Sequence, residues 1–257
     1  MTETVLIEPA ATLVLVRDHE QGPQVLMQQR NPEAVFVGGA WVFPGGKLDS
    51  NDSDPVWQTL MPDACEQHAF ATLDLARASS PYNADQVMPH EARAPIQTSA
   101  LAFWVAALRE AFEEAGLLMV NETTSQAQRD TWRHRLLNGE LCWQTLIEEQ
   151  GLTLAANKLH YISRWVTPPD NPRRYDTRFF IARAPQEQEL SHEDYEAIQT
   201  RWLRPEEALQ ECQQGRMQLI LPTLVTLRAM CSDNDKEPFT CADQMIDNVI
   251  RTFNPGG

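Results

Sequence analysis

The sequence predicts an α/β (α+β) sandwich, a mixed sheet held between helices. Three observations point to it. Short runs rich in β-branched and aromatic residues recur along the chain, such as "ATLVLVRD", "LHYISRWV" and "TRFFIARA". Strongly periodic helical stretches lie between and after them, without strict β-α-β alternation. The 257 residues, 42% of them apolar, suffice to bury a substantial core, as one large domain or a domain with a sizeable insertion.

Taken in order, "ATLVLVRD" (11–18) and "QVLMQQR" (24–30) are strands joined by a turn at Gly22–Pro23. "WVF" (41–43) is a short strand that breaks into "PGG" (44–46), a loop signal. The proline-dotted stretch 53–97, helix-compatible near "CEQHAFATLDLARA", reads as an insertion packed on the domain. A strong helix then runs from Ser99 to Ala115. Leu101, Trp104, Val105, Leu108, Phe112 and Ala115 form its apolar stripe, Thr98 or Ser99 is placed to cap its start, and Gly116 is suited to end it. Helices at "TSQAQRDTWRHRLLNG" and "CWQTLIEEQ" follow, then strands at 159–166, 177–184 and 200–205. Helices at "PEEALQECQQG" and "PTLVTLRAM" precede a C-terminal extension, 231–257. The whole is expected to be a single domain, residues 1–257.

Composition excludes several functions. The longest apolar runs, such as "ALAFWVAAL", are too short to span a bilayer, and "MTETVLIEPA" lacks the pattern of a signal peptide. Five scattered cysteines, none in a CxxC pair, are expected to be buried, inert thiols in a reducing, cytoplasmic setting. A net charge of −15 argues against nucleic acid or an anionic membrane as partner. A small phosphorylated substrate is compatible with it where a metal ion or a few arginines make the charge locally positive.

The chemistry gathers in "LREAFEEAGLL" (108–118). Glu110, Glu113 and Glu114 are spaced i, i+3, i+4, so they crowd one face at a helix end where the macrodipole disfavours negative charge. A solvated face with Arg109 pairing to Glu113 is one account of them. A divalent cation is the other, since oxygen-rich sites suit Mg²⁺ or Mn²⁺ and a cation neutralises the cluster.

With the "FPGG" stretch upstream, the sequence resembles the Nudix hydrolase family, whose box runs G, five residues, E, seven residues, then R-E-U-x-E-E-x-G-U with U bulky and apolar. The second half is present from Arg109 to Leu117, with only Ala111 smaller than the pattern, and the first half begins at Gly46. Sixty-two residues separate Gly46 from Arg109, against thirteen in the uninterrupted box, so the motif is split by an insertion. Asp52 stands where the first Glu belongs, and Asp52 and Asp49 are candidates for its role. The split box, together with "SRWVTPPDNPRRYDTRFFIA", "RWLRPEEAL" and "LPT", resembles the branch of the peroxisomal coenzyme A diphosphatases over roughly residues 8–230.

The resemblance implies a Nudix-type sandwich with a helical insertion inside the box, and hydrolysis of a nucleoside-linked diphosphate with Mg²⁺ or Mn²⁺. It implies that Glu113 and Glu114 bind metal, Glu110 binds metal or helps activate water, the Gly46 carbonyl is a further ligand, and Arg109 orients the glutamates. An additional acid is expected outside the box. Glu196 is favoured over Glu193, with Asp194 and His192 beside them. Arg30, Arg173, Arg174 and Arg178 are candidates for the phosphates of coenzyme A, because arginine forks match phosphate geometry; pairing of the last three with Asp170 or Asp176 is the alternative. Phe36, Trp41, Tyr175 and Phe179 could stack a base or belong to the core. The expected substrate is coenzyme A or acyl-coenzyme A. ADP-ribose, a dinucleotide, or a non-catalytic ligand-sensing role are the alternatives, and a homodimer is compatible with all of them.

Overall fold

The computed structural model describes residues 6–34, 37–79, 98–169, 171–190, 197–232 and 238–254. It contains a seven-stranded mixed sheet with helices on both faces. The strands are β1 (Ile7–Arg17), β2 (Gln24–Arg30), β3 (Trp41–Val42), β4 (Gly45–Lys47), β5 (His160–Val166), β6 (Arg174–Arg183) and β7 (Ala197–Leu203). The helices are α1 (Trp57–Leu60), α2 (Glu66–Ser79), α3 (Leu101–Ala115), α4 (Gln126–Leu137), α5 (Trp143–Glu149), α6 (Pro205–Gln213), α7 (Leu221–Ala229) and α8 (Ala242–Phe253).

β1 is central. Its parallel pairing with β6 extends from Ile7–Arg174 to Val16–Arg183, so both strands begin earlier than their apolar runs alone predict. The pleat divides their side chains between two cores. Leu13, Leu15, Leu26 and Phe180 join one core with the apolar stripe of α3. Val14, Val25, Met27 and Ile181 join the other, with Leu227, Met230 and Val249. Burial on both faces explains why these strands read as continuous apolar runs.

One end of the sheet is made by a parting of strands. β1 and β2 pair only at Val16–Val25 and Arg17–Gln24. Beyond that point β3 takes the free edge of β2, at Gln28–Val42 and Gln29–Trp41, while β4 takes the free edge of β1, from Ala10–Lys47 to Thr12–Gly45. Pro44 joins the two, with its carbonyl accepting from Leu13 N–H at 2.9 Å. The "PGG" stretch, expected as loop, is therefore partly strand: Gly45 and Gly46 are ladder residues.

Other expectations are corrected similarly. α3 is not capped by the side chain of Thr98 or Ser99. The Glu66 carboxylate at the start of α2 accepts from Ala100 N–H (2.6 Å), Leu101 N–H (3.1 Å) and the Ser99 hydroxyl (2.7 Å). The Thr98 hydroxyl meets that of Ser53 instead. Gly116 does close the helix, in the left-handed conformation at φ 73°. The described part of the insertion sends Trp57, Met61, Ala69 and Leu73 into the α3 core, and residues 80–97 lie outside the described set. None of the five thiols is fully buried, and Cys65 and Cys142 are exposed. The extension 231–257, for which no element was expected, carries α8. Among the described residues no helix is long and apolar enough to cross a membrane.

Candidate active site

Arg109 organises the glutamate turn. It sits six residues before the end of α3 and is 4% exposed. Its guanidinium donates to Asp52 through Nε (3.2 Å) and Nη2 (3.0 Å), to the Lys47 carbonyl (3.0 Å), to Glu110 Oε1 (2.8 Å) and to Glu113 Oε2 (2.9 Å). A planar fork reaches all these acceptors at once, as an ammonium could not. Asp52, 2% exposed, lies in the 3-10 turn Ser50–Ser53 and also accepts from its own Asp49 N–H. The two halves of the split motif thus meet through a buried ion pair, across the 53–97 insertion.

The glycine pair meets the same turn from the sheet. Gly45 N–H donates to Glu114 Oε2 at 2.8 Å. At Gly46, a Cβ would stand 2.3 Å from Glu110 Oε1, so the carboxylate lies where any side chain would be. Close approach of backbone to carboxylate is the reason for glycine here.

Charge is held under tension. Burial raises the Glu113 carboxyl above its ordinary value, and the Asp49 and Asp52 charges add to this against the pull of Arg109. Burial likewise raises Asp52, countered by its bonds to Arg109. Burial alone would lower Arg109, but Glu110, Asp52 and Glu113 outweigh it and hold the guanidinium above its ordinary value. Arg109 is a fixed cation that keeps several carboxylates close.

These groups border a cavity of about 660 Å³, within the usual range for small-molecule sites. Its floor is Gly45, Gly46, Asp49, Arg109, Glu110, Glu113 and Glu114. Arg30 enters at the end of β2, and among the described residues its buried Nε has no hydrogen-bond partner. Trp165, Tyr175, Thr177 and Phe179 form one wall, and Ile220 to Thr223 another.

The remaining candidates divide by the pleat of β6. Tyr175, Thr177 and Phe179 face the cavity, whereas Arg174 and Arg178 alternate away from it and are 3% and 2% exposed. Arg178 pairs with Asp176, which also takes two bonds from Arg164, and lies over the Phe103 ring. Arg173 is exposed and outside the lining. The arginine cluster expected for substrate phosphates is therefore not in the cavity lining, because the pleat of β6 puts Arg174 and Arg178 on the face opposite Tyr175, Thr177 and Phe179. Trp41 belongs to the core, 4% exposed, with Arg201 over its ring. Glu193, Asp194, Glu196, His192, Phe36 and Asp170 lie outside the described residues.

Two cavity residues escaped the sequence. Trp165 lies in the family-like stretch "SRWVTPPDNPRRYDTRFFIA", but nothing there marks it as a cavity residue. Arg133 of α4 is 3% exposed and donates to the Glu113 carbonyl (2.8 Å) and the Glu114 carbonyl (3.4 Å); nothing in its local pattern marks it as other than a helix-surface charge.

A metal ion has a suitable donor set here, all hard oxygen. Among the described residues, no three His, Cys, Asp or Glu side chains are already gathered around one point. The carboxylates are tied instead to Arg109 and Gly45 N–H, and the room that Gly46 leaves by lacking a Cβ is what lets Glu110 lie over the backbone.

Comparison with known proteins agrees with this geometry. The family model described as the NUDT19 Nudix domain matches residues 4–230. The acyl-coenzyme A diphosphatase NUDT19 of Gallus gallus is 26% identical over 259 residues, covering 89% of this chain and 67% of that protein. Its Homo sapiens counterpart is 26% identical over 230 residues, covering 82% and 61%. The chain thus spans about two thirds or less of the length of these relatives. The crystal structure of a NUDIX hydrolase from Alicyclobacillus acidocaldarius superposes with a TM-score of 0.60 at 25% identity, over 88% of this chain and 92% of that one. With a family match over most of its length and the split box closed in space, this chain belongs to the Nudix hydrolase family.

Proposed function

We propose that this protein is a pyrophosphohydrolase that cleaves the diphosphate of coenzyme A or acyl-coenzyme A, releasing 3',5'-ADP and (acyl-)phosphopantetheine. One observation carries the reaction type: Arg109, Asp52 and the two glycines bring Glu110, Glu113 and Glu114 together at one end of a small-molecule cavity. The names of the relatives support the substrate.

Mg²⁺ or Mn²⁺ would be held by Glu110, Glu113, Glu114 and the Gly46 carbonyl. Such an ion, when bound, lowers the pKa of a water and neutralises charge that builds on the diphosphate oxygens. The chain's own groups do the rest. Arg109 holds Glu110 and Glu113 in place through its hydrogen bonds, without reaching substrate. Glu110 is placed to accept a proton from the attacking water if it is not spent on metal, and Glu196 is the candidate base from outside the box. Arg30 offers a fork to a substrate phosphate. Tyr175, Phe179 and Trp165 offer ring faces for the adenine. Water attacks one phosphorus, the anhydride P–O bond breaks, and the second phosphate leaves with the bridging oxygen.

The test is product identity. Incubation with coenzyme A and Mg²⁺ is expected to give 3',5'-ADP and 4'-phosphopantetheine. Faster turnover of dephospho-coenzyme A or ADP-ribose would overturn the substrate. The Glu114→Gln variant should fold normally and lose more than about 100-fold in activity, beyond the loss usual for a group that only supports a metal ligand. Unchanged turnover in that variant would mean that the reacting centre lies elsewhere.

A further inference from the structure

The last turn of α3 must dispose of its terminal carbonyls, since the final carbonyls of a helix have no partner inside it. Gly116 N–H bonds back to the Phe112 carbonyl (2.9 Å), the single bond of a left-handed closure, and Leu117 N–H bonds to the Ala111 carbonyl (3.3 Å). That closure leaves Glu113 and Glu114, the residues whose side chains the proposed function gives to the metal. Their carbonyls are taken by Arg133, reaching across from α4. Arg133 is 3% exposed and borders the same cavity as Glu113 and Glu114. The turn is thereby pinned twice, by Arg109 through its carboxylates and by Arg133 through its backbone.

We propose that Arg133 is a positioning residue of the catalytic centre, fixing the main chain of Glu113 and Glu114 so that their carboxylates converge on a divalent cation. This role rests on the proposed diphosphatase function. Two physical effects of Arg133 have opposite signs, and that makes the role testable. As a nearby positive charge it repels a cation, so simple electrostatics predicts that removing it tightens metal binding. As the anchor of the turn it preorganises the ligands, so removing it loosens binding. Groups that orient metal ligands typically contribute 10–100-fold in affinity, and the positioning role requires this second effect to win.

Mn²⁺ binding to the substrate-free full chain, followed by titration calorimetry or by the loss of the free-ion EPR signal, separates the two. Arg133→Met is expected to weaken Mn²⁺ binding about 10-fold, to lower kcat, and to leave KM for coenzyme A little changed. Arg133→Lys keeps the charge but replaces the fork by one ammonium, and is expected to fall between wild type and Arg133→Met. Equal or tighter Mn²⁺ binding in Arg133→Met overturns the role. If that variant does not fold, Arg133→Lys carries the test alone, with weaker binding expected and equal or tighter binding overturning it. Glu114→Gln identifies the source of a failure. If wild type and Glu114→Gln bind Mn²⁺ alike, the metal site itself is wrong. If Glu114→Gln binds weakly while the Arg133 variants match wild type, only the positioning role is wrong.

Discussion

A methyl group added at Gly45 would meet the Ala11 carbonyl oxygen at 2.5 Å and the Thr12 Cα at 2.7 Å, both backbone. The atoms nearest the same methyl at Gly46 would be the carboxylate of Glu110, at 2.3–2.8 Å. Two adjacent glycines therefore answer to different demands. Neither has the positive φ that would itself call for glycine. Gly45→Ala should force β4 from β1 and destabilise the fold by about 1–3 kcal/mol, the usual cost of overpacking. Gly46→Ala should leave the urea midpoint close to wild type, because a side-chain end can swing away, yet reduce turnover about 10–100-fold, as displaced metal-supporting groups do. Paired urea melts and turnover rates check this. A Gly46→Ala enzyme with full activity would mean that Glu110 is not needed where the structure puts it.

Among the elements, β6 shows how alternation assigns roles. Its cavity-facing residues are Tyr175, Thr177 and Phe179, and its opposite face carries Arg178 and Asp176, which bonds to Arg164 of β5. Burial alone would raise the Asp176 carboxyl, but hydrogen bonds from Arg164 and the Arg178 charge hold it below its ordinary value of 3.8. A carboxylate depressed on folding contributes stability that is fully present above its unfolded pKa and is lost as pH falls through the folded one. This contribution should therefore fade as the solution is acidified below 3.8. Asp176→Asn should lose about 3–5 kcal/mol at neutral pH, the cost of leaving a buried charge unpaired, and its urea midpoint should fall less steeply on acidification than that of wild type. An equally steep acid limb would assign the effect to other carboxylates. The arginines of "PRRYDTRFF" were legible as a cluster, but not the face of the sheet they occupy, because a strand's pleat relates neighbours to one another and not to a cavity.

At the scale of the whole molecule, the C-terminal extension is part of the core. α8 lies beyond residue 230, where the family match ends, and buries Ala242, Met245, Ile246, Val249 and Phe253 against the sheet. Asp18 accepts from Ala242 N–H at 2.7 Å, Asn248 donates to the Ala229 carbonyl at 2.9 Å, and Asn254 donates to the Tyr161 carbonyl at 3.1 Å. Burying one large aliphatic or aromatic side chain contributes about 1.5–3 kcal/mol. A chain ending at residue 230 should thus be less stable by several kcal/mol, read as a lower urea midpoint. The glutamate turn, on the opposite core, should keep its geometry in whatever fraction remains folded. An unchanged midpoint would make α8 a peripheral attachment.

The sequence by itself determined the fold class, the helix that carries the glutamates with its Gly116 stop, the metal-suited spacing of Glu110, Glu113 and Glu114, and the family. All of these are written in local spacing, which a 3.6-residue or two-residue period displays directly. Only the tertiary structure decided that Asp52 pairs with Arg109 across the insertion, that Glu66 caps α3, that Arg30 lies at the cavity while Arg174 and Arg178 do not, and that Arg133 holds the turn. Those facts depend on which distant segments become neighbours. Such contacts are selected by burial of the whole chain and by the need to satisfy each buried charge and helix end, and no window of local sequence contains them.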